Sequence, residues 1–347
     1  MKKFISIAVS ALMCLSIFAG CGSSSSAPAA TAAPTEAPAA SDTQVSEAPV
    51  ENKTYRVAIV QQLDHASLDE IRLAIEAELT AKSIDGVTFE FKSFSGQNDA
   101  SVLNQIGSQV VADGYDAIIP IATLAATCMV NAADGTDIPI IYAAISDPES
   151  ADLTGIPNVT GTSDALNTDF IMDMMFAVNP DIKTVGLLYS NSEPNSAMPI
   201  AQAKEYLDAK GITYLDKTGS TTDEVLAAAN SMVGNVDAVF TPTDNTVMAA
   251  AGAVAEIFAE AGIPHYTGAD SFVTAGSFVT CGVNYTELGT YTADMAIDIL
   301  LGGEIPEYHV MDGGIITVNT ETAEAIDIDY SVFGDMAGQV IEVKTAE

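Results

Sequence analysis

Apolar and polar positions follow the same order in two stretches of the chain, residues 116–147 and 237–270. Each stretch begins with Asp-Ala and a short apolar run that ends near a proline, Pro120 or Pro242. Each then passes through polar residues into an alanine-rich helical pattern and ends with Ile-Pro, a second apolar run and an aspartate. The order strand, helix, strand therefore occurs twice, at a spacing of roughly 120 residues, and a repeat of this length indicates two similar lobes rather than a solenoid.

The rest of the chain continues the alternation of strands and helices. Apolar runs predict strands at 55–61, 87–94, 159–162, 183–189, 213–217, 277–283 and 314–318. Helical spacing of apolar residues predicts helices at 67–79, 98–111, 164–178, 222–233 and 287–301, with Ser67 and Glu70 forming a capping box on the first. Crossovers of this kind give parallel sheets. The predicted fold is α/β, with two similar lobes, each a parallel sheet flanked by helices, and a ligand cleft between them.

The cleft is expected at the carboxyl ends of the strands, because the loops beyond these ends form the ligand crevice of parallel sheets. Two lobes that present such loops to each other can close on a small molecule by hinge motion. Polar residues of these loops, and of the strand ends and helix starts beside them, are the candidate ligand contacts: Gln61, Ser67, Thr123, Ser146, Asp147, Glu193, Asn195, Ser196, Asp244, Asn245, Asp270 and Tyr285.

The N-terminus has the pattern of a targeting segment. Lys2 and Lys3 precede an apolar run at 4–19, which ends in Phe-Ala-Gly before Cys21. Small residues before a cysteine at this place resemble a bacterial lipobox, which predicts a signal peptide at 1–20 and a lipid on Cys21. The segment 21–52, rich in Ser, Ala, Thr, Pro and Glu, is expected to be a disordered tether to the membrane. An ordinary signal peptide that contains a cysteine is the alternative.

The charge of the chain disfavours binding to nucleic acid. The sequence has 47 Asp and Glu against 12 Lys and Arg, for a formal net charge of −35. Such a surface repels phosphate backbones and anionic lipid headgroups. A catalytic or metal site is not expected either, because the three histidines are isolated and no metal-ligand spacing occurs. Cys128 and Cys281 are expected to be buried free thiols, and no cofactor is expected.

The candidate residues suit a zwitterion. Arg56 and Arg72 are the only arginines, and neither position is suited to hold a ligand anion. A ligand carboxylate would therefore lie on the free amides of helix N-termini, at Thr123, Ser67 or 195–196. Asp244 or Asp270 is expected to pair with an ammonium group. Three tyrosines, Tyr142, Tyr189 and Tyr285, could flank an aromatic side chain or serve only as packing at the rim of the cleft.

Several segments together resemble a known family. These are 61–71, 116–126, 138–148, 158–164, 185–196, 237–246 and 283–289, which read QQLDHASLDEI, DAIIPIATLAA, IPIIYAAISDP, NVTGTSD, VGLLYSNSEPNS, DAVFTPTDNT and VNYTELG. They resemble the substrate-binding lipoproteins of ABC transporters in the tryptophan- and tyrosine-binding class, on the type I periplasmic-binding fold. The resemblance implies an N-terminal lobe of 53–162 and 285–303, and a C-terminal lobe of 163–284 and 304–347. It also implies three chain crossings that act as a hinge.

The predicted function is that of an extracytoplasmic solute-binding lipoprotein. The protein, which is expected to be a monomer, would capture a small molecule and deliver it to an ABC permease. An aromatic amino acid is the favoured ligand. A nucleoside ligand is the alternative among binding proteins, since nucleoside-binding lipoproteins share this architecture. A ligand-sensing ectodomain of a signalling system is the other alternative. An enzyme is disfavoured, because the chain has no catalytic triad at recognisable spacing and no phosphate-binding glycine loop.

Overall fold

Strands and helices alternate along the chain in the computed structural model, which describes residues 52–84 and 86–346. The strands are β1 (Lys53–Gln61), β2 (Val87–Ser95), β3 (Ala117–Ile121), β4 (Ile140–Tyr142), β5 (Val159–Ser163), β6 (Thr184–Tyr189), β7 (Thr213–Thr218), β8 (Ala238–Thr241), β9 (His265–Thr267), β10 (Val279–Gly282), β11 (His309–Val310), β12 (Ile315–Asn319) and β13 (Gln339–Val343). The helices are α1 (Ala66–Ala81), α2 (Ala100–Ala112), α3 (Thr123–Ala132), α4 (Thr168–Val178), α5 (Ala197–Lys210), α6 (Thr222–Met232), α7 (Asn245–Met248), α8 (Ala251–Glu260), α9 (Asp270–Thr274), α10 (Tyr285–Leu300), α11 (Thr320–Ala325) and α12 (Phe333–Met336).

The strands form two sheets, one in each lobe. The first sheet has the order β11-β5-β4-β3-β1-β2, and all of its strand pairs are parallel. The second sheet has the order β13-β12-β10-β9-β8-β6-β7, and β10 with β12 is its antiparallel pair. The predicted α/β fold with two similar lobes is confirmed.

Both faces of the first sheet are covered by helices because successive residues of a strand point to opposite faces. Ala58, Val60 and Ile118 pack with buried side chains of α2 and α3. Val57 and Ile59, which alternate with them along β1, pack instead with buried side chains of α1 and α10. A strand buried on both faces explains why β1 reads as a nearly continuous apolar run.

The chain crosses between the lobes three times, after β5, after β10 and after β11. The second crossing returns the chain to the first lobe, where α10 packs on α1. Gly289 of α10 lies against Ile71, and Lys82 forms an ion pair of 3.0 Å with Asp294. The third crossing carries the chain into β12 and β13 of the second sheet.

Two details differ from the sequence-based expectations. The resemblance implies that 304–347 belongs to the second lobe, but within this segment β11 (His309–Val310) pairs with β5 and extends the edge of the first sheet. The helix α1 begins at Ala66 with His65 as its N-cap residue and has no side-chain cap, so the predicted capping box is wrong. Ser67 instead donates its hydroxyl hydrogen to Ser271 of the second lobe.

The predicted signal peptide (1–20), the lipidated Cys21 and nearly all of the predicted linker (21–52) lie outside the described residues. Within the described ranges, none of the helices combines the length and apolar character needed to cross a membrane. Cys128 and Cys281 are buried and unpaired there, as expected.

Candidate ligand-binding site

A cavity of about 30 Å³ lies between the two lobes, beyond the carboxyl ends of β1, β3, β4 and β8. The free volume is small in this closed arrangement, so a ligand of amino acid size would require the lobes to move apart as it enters. It is lined by residues of both lobes: His65, Ser67, Leu68, Ala122, Thr123, Ala144, Ser146, Asp164, Asn195, Thr243, Asp244, Asn245, Met248, Ala269, Ser271, Phe272 and Tyr285.

The two lobes are closed on each other around this cavity. Side chains of the first lobe form hydrogen bonds directly to side chains of the second. The pairs are His65 with Asn245 at 3.0 Å, Ser67 with Ser271, Ser146 with Thr243 at 3.0 Å, Gln62 with Glu193 at 3.2 Å, and Asn98 with Thr246 at 3.3 Å. Because each bond joins the lobes, opening of the cleft would break them together.

Asp164 is one of two buried acidic groups that line the cavity, and like Asp244 it has no cationic partner in the described ranges. It follows β5 on the first crossing between the lobes and is 5% exposed. Its carboxylate accepts hydrogen bonds from Ser146 Oγ at 2.9 Å and from Tyr285 Oη at 3.2 Å, and no salt bridge in the described ranges includes it. Burial raises the pKa of Asp164. A buried carboxylate of this kind is complementary to a cation supplied from outside.

The N-terminus of α3 favours a negatively charged group of a ligand. Thr123 is the first residue of this helix, lines the cavity and is 3% exposed. The backbone amides of a helix start are free to donate, and the helix dipole favours an anion there. One of these amides, that of Leu124, donates to Gln62 Oε1 at 3.0 Å. The helix has no acidic residue in its first turn, so no side-chain carboxylate competes with a ligand.

Two alanines beside α3 hold an unusual backbone conformation. Ala122 has a φ of 74° and Ala144 has a φ of 58°, and both line the cavity. Residues other than glycine are strained in this region, and such strain is concentrated at functional sites. The small side chains of these residues leave space for a ligand next to the backbone.

The remaining wall is apolar. Leu68 of α1, Met248 of α7 and Phe272 of α9 line the cavity together with Ala269. Tyr285 also lies there, whereas Tyr142 lines a separate groove at the edge of the first lobe and Tyr189 is absent from the cavity wall. Of the three tyrosines considered in the sequence, Tyr285 alone therefore borders the cavity.

The candidate contacts predicted from sequence divide into two groups. Seven of them line the cavity: Ser67, Thr123, Ser146, Asn195, Asp244, Asn245 and Tyr285. The others, Gln61, Asp147, Glu193, Ser196 and Asp270, do not line it. Gln61 is turned into its own lobe, where its Nε2 donates to Leu63 O at 2.7 Å and its Oε1 accepts from Arg72 at 3.1 Å.

Asp244 borders the cavity, but its carboxylate is already occupied. One oxygen accepts from the amide of Val247 at 2.8 Å and so caps α7. The other oxygen accepts from the amide of Ser190 and from the hydroxyl of Ser196, both at 2.7 Å. These bonds hold the loop after β6 against the start of α7. They leave Asp164, rather than Asp244, as the acid whose oxygens can accept further hydrogen bonds.

Glu193 lies behind the cavity wall, where it joins the two lobes. Its carboxyl accepts from Gln62 of the first lobe, from Asn245 Nδ2 at 2.9 Å and from Thr246 Oγ1 at 3.2 Å. Burial, and secondarily the charge of Asp244, raise the pKa of Glu193 to about 7. Glu193 therefore connects the lobes without bordering the ligand space.

Asp147 and Asp270 lie outside the cavity wall. Asp147 Oδ1 accepts from the amide of Ser150 at 3.0 Å within its own loop. Asp270 lies in a separate groove with Glu70, and burial together with the charge of Glu70 raises the pKa of Asp270 to about 6.

Neither arginine reaches the cavity. Arg56 donates to the backbone carbonyl of Asp113, and Arg72 forms ion pairs with Asp69 and Glu76 on its own helix. The cavity wall therefore carries no guanidinium group.

Sequence reasoning missed His65 and Asp164 as wall residues. Both follow the carboxyl end of a strand of the first sheet, β1 and β5, so the rule that placed Thr123 and Ser146 at the cleft also pointed to them. Ser271 and Phe272 were missed because the short helix α9 carries no distinct sequence signal.

Comparisons with known proteins agree with this architecture. Residues 56–333 match the family model described as ABC transporter substrate binding protein. A protein of Clostridioides difficile (strain R20291), named tyrosine-binding protein, is 32% identical over 285 residues, which cover 80% of this chain and 82% of that protein. An ABC domain from Streptococcus pneumonia, solved in complex with L-Trp, is 29% identical with a TM-score of 0.76 and covers 83% of this chain and 100% of its own.

A similar structure with open lobes matches this chain less well in shape. The ligand-free, open structure of a substrate binding protein with adhesive properties from Clostridium difficile is 30% identical, covers 84% of this chain and 100% of its own, and has a TM-score of 0.63. At nearly the same identity, the L-Trp complex is the better match in shape. This difference agrees with the hydrogen bonds that close the lobes here. The chain belongs to the family of ABC transporter substrate-binding proteins, which are extracytoplasmic transport components and not enzymes.

Proposed function

We propose that this protein captures an aromatic L-amino acid between its lobes and delivers it to an ABC permease. The support for an amino acid comes from the relative named tyrosine-binding protein and from the similar domain solved with L-Trp. The proposed ligand contacts are Asp164 and His65 together with six of the predicted residues that line the cavity: Ser67, Thr123, Ser146, Asn195, Asn245 and Tyr285.

The observation that carries the proposal is the unpaired carboxylate of Asp164. A buried carboxylate is destabilised unless a cation or several donors neutralise it. The α-ammonium group of an amino acid brings one positive charge and three donors. A nucleoside, the alternative raised by the sequence, brings no such group to Asp164.

The carboxylate of the ligand is assigned to the N-terminus of α3. Thr123 and the amides of the first turn offer hydrogen bonds and the positive end of the helix dipole. An arginine is not needed for this contact. The positive and negative ends of a zwitterion thus find separate partners in the cavity.

The side chain of the ligand is assigned to the apolar wall. Leu68, Met248 and Phe272 present aliphatic, thioether and aromatic surface, which suits contact with an aromatic ring. Tyr285, which donates its hydroxyl hydrogen to Asp164, adds a further ring to the cavity wall.

The membrane attachment and the transport step belong to the same proposal. A lipid on Cys21 and the segment 21–52 would tether a monomeric binding protein beside its permease.

Isothermal titration tests the ligand assignment. Ligand-free protein is titrated with L-tyrosine, L-tryptophan and their N-acetyl derivatives, which lack the ammonium charge. We expect binding of the free amino acids and at least about a hundredfold weaker binding of the derivatives, because a buried charge pair loses one partner. Equal affinity for both forms would exclude the ammonium contact.

Two variants locate this contact. The substitution Asp164→Asn removes the charge and keeps the size, so we expect it to weaken amino acid binding strongly. Asp298→Asn on the exposed surface of α10 is the matched control and is expected to bind as the wild type does. Unchanged affinity of Asp164→Asn would show that another group binds the ammonium.

A further inference from the structure

The orientation of Asn245 assigns the hydrogen of the His65 ring. His65 Nε2 lies 3.0 Å from Asn245 Oδ1, and Asn245 Nδ2 donates to Glu193 Oε2 at 2.9 Å. With Asn245 in this orientation, its carbonyl oxygen faces the imidazole. A carbonyl oxygen accepts only, so this arrangement places the hydrogen of His65 on Nε2, which donates it.

The other ring nitrogen, Nδ1, is an acceptor without a donor. It is buried and has no hydrogen-bond partner in the described part of the chain, although His65 borders the cavity. Burial lowers the pKa of His65, which favours the neutral ring, and a neutral ring with its hydrogen on Nε2 has a lone pair on Nδ1. A buried acceptor of this kind lowers stability until a donor reaches it.

A second acceptor of the cavity belongs to the ammonium end. Asn195 is 5% exposed, its Nδ2 donates to Thr243 O at 2.6 Å, and its Oδ1 has no partner. Asn195 is connected to Asp164 through Thr243 and Ser146, which are hydrogen-bonded to each other. Asn195 and Asp164 line the same cavity, and both are assigned to the ammonium end of the ligand.

His65 is not part of that chain of hydrogen bonds. Its Nε2 contacts Asn245, and the residues after it, Ser67 and Leu68, lead to the apolar wall of α1. If the ammonium group occupies Asp164 and Asn195, the donor that satisfies His65 Nδ1 would come from another part of the ligand.

We propose that His65 determines specificity by accepting a hydrogen bond from the side chain of the ligand, and that it thereby selects amino acids whose aromatic ring carries a donor. A phenol O–H or an indole N–H meets this requirement, and an unsubstituted phenyl ring does not. The proposal rests on the proposed function, because it requires an amino acid in the cavity. It adds that aromatic shape alone is not sufficient for tight binding.

The wild-type test compares ligands of equal shape. The full-length protein, kept in detergent and freed of ligand, is titrated with L-tyrosine, L-phenylalanine, L-tryptophan and 3-(3-benzothienyl)-L-alanine, in which sulfur replaces the indole N–H. The ligands form two pairs, L-tyrosine with L-phenylalanine and L-tryptophan with the benzothienyl analogue, and only the first member of each pair carries a ring donor. We expect this first member to bind about 10- to 100-fold more tightly in at least one of the two pairs, since the second member leaves His65 Nδ1 unsatisfied. Equal affinities within both pairs would overturn the proposal and leave the proposed function intact. Failure of all four to bind would overturn both.

Two substitutions at His65 separate its two nitrogens. His65→Gln keeps a donor near the position of Nε2 and removes the acceptor at Nδ1, so the preference for the donor ligand should fall below about threefold. His65→Asn keeps an acceptor near the position of Nδ1 and loses the bond to Asn245, so the preference should persist although overall affinity falls. Circular dichroism shows whether both variants are folded. A full preference in His65→Gln would overturn the proposal, as would an equal fall in affinity for both members of each pair.

Discussion

Gln62 Nε2, just after β1 in the first lobe, donates a hydrogen bond of 3.2 Å to Glu193 Oε1 in the second lobe. The same amide group donates to Asn98 at 2.8 Å, and its oxygen accepts from the amide of Leu124. One side chain thus links the closing contact to the helix start at which we place the ligand carboxylate. We therefore expect this arrangement to couple ligand capture to lobe closure, because both would depend on the position of Gln62.

The buried carboxyl of Glu193 makes stability depend on pH. Its pKa is about 7 in the folded protein, against an ordinary value of 4.5. The folded state therefore keeps a proton that the unfolded chain has released, and the contribution of Glu193 to the free energy of unfolding is lost as pH rises from about 4.5 through about 7. The difference corresponds to at most about 3 kcal/mol. In Glu193→Gln we expect the decline of stability over this range to be smaller by up to that amount.

Urea unfolding at a series of pH values between about 4.5 and 8 measures this effect. Glu205→Gln, on the exposed face of α5, is the control and should follow the wild-type pH profile. A Glu193→Gln profile that is parallel to the wild type would show that Glu193 does not hold a proton in the folded state.

The bond between Ser67 and Ser271 predicts an energetic coupling between two residues that are far apart in the chain but in contact across the cleft. These residues are 204 positions apart in the chain, and the bond between their hydroxyl groups exists only when the lobes are closed. Ser67→Ala and Ser271→Ala should each weaken amino acid binding several-fold. The double variant should lose less than the two single effects combined, with a coupling energy of about 1 kcal/mol.

Titration of the four proteins completes this cycle. Ser231→Ala serves as the control, because the hydroxyl of Ser231 bonds to a backbone carbonyl within its own lobe. Strictly additive effects of the two substitutions would mean that the serine bond plays no part in closure.

The fold could be predicted because its signal is repeated. Two copies of a strand–helix–strand pattern, with buried strands that read as apolar runs, leave few arrangements other than two parallel sheets. The strand β11 could not be predicted, because a strand of two residues has no periodicity of its own and is defined by its pairing with β5.

The positions that line the cavity could be predicted only in part. Thr123 and Asn245 were placed at the cavity wall by the rule that loops at strand carboxyl ends face the ligand. The rule does not distinguish an acid that binds a ligand from one that caps a helix. Asp244 is occupied by Ser190 and Ser196, which are 54 and 48 residues away, and such long-range contacts leave no mark in the local sequence.

Asp244 is expected to be structural. Its two carboxylate oxygens accept from two backbone amides and one hydroxyl group. In Asp244→Asn one acceptor becomes an NH₂ group, which must face a donor. We expect the free energy of unfolding to fall by about 1–3 kcal/mol at neutral pH, since a buried amide loses its partner. Urea unfolding measures this loss. A variant of full stability with weakened ligand binding would instead indicate direct contact with the ligand.

The close packing of α10 on α1 depends on Gly289. A Cβ atom at this position would lie 2.6 Å from the carbonyl oxygen of Ile71 and 2.7 Å from Cβ of Ala74. Because backbone atoms of α1 cannot move aside cheaply, Gly289→Ala should lower the free energy of unfolding by about 1–3 kcal/mol, although alanine favours helix formation.

Gly252→Ala in α8 is the matched control for this substitution. A Cβ atom at Gly252 would have its nearest neighbour at 3.8 Å, so the variant should be as stable as the wild type or slightly more stable. Thermal and urea unfolding of both variants give the comparison. Equal stability of the two glycine variants would show that α1 and α10 separate easily at this point.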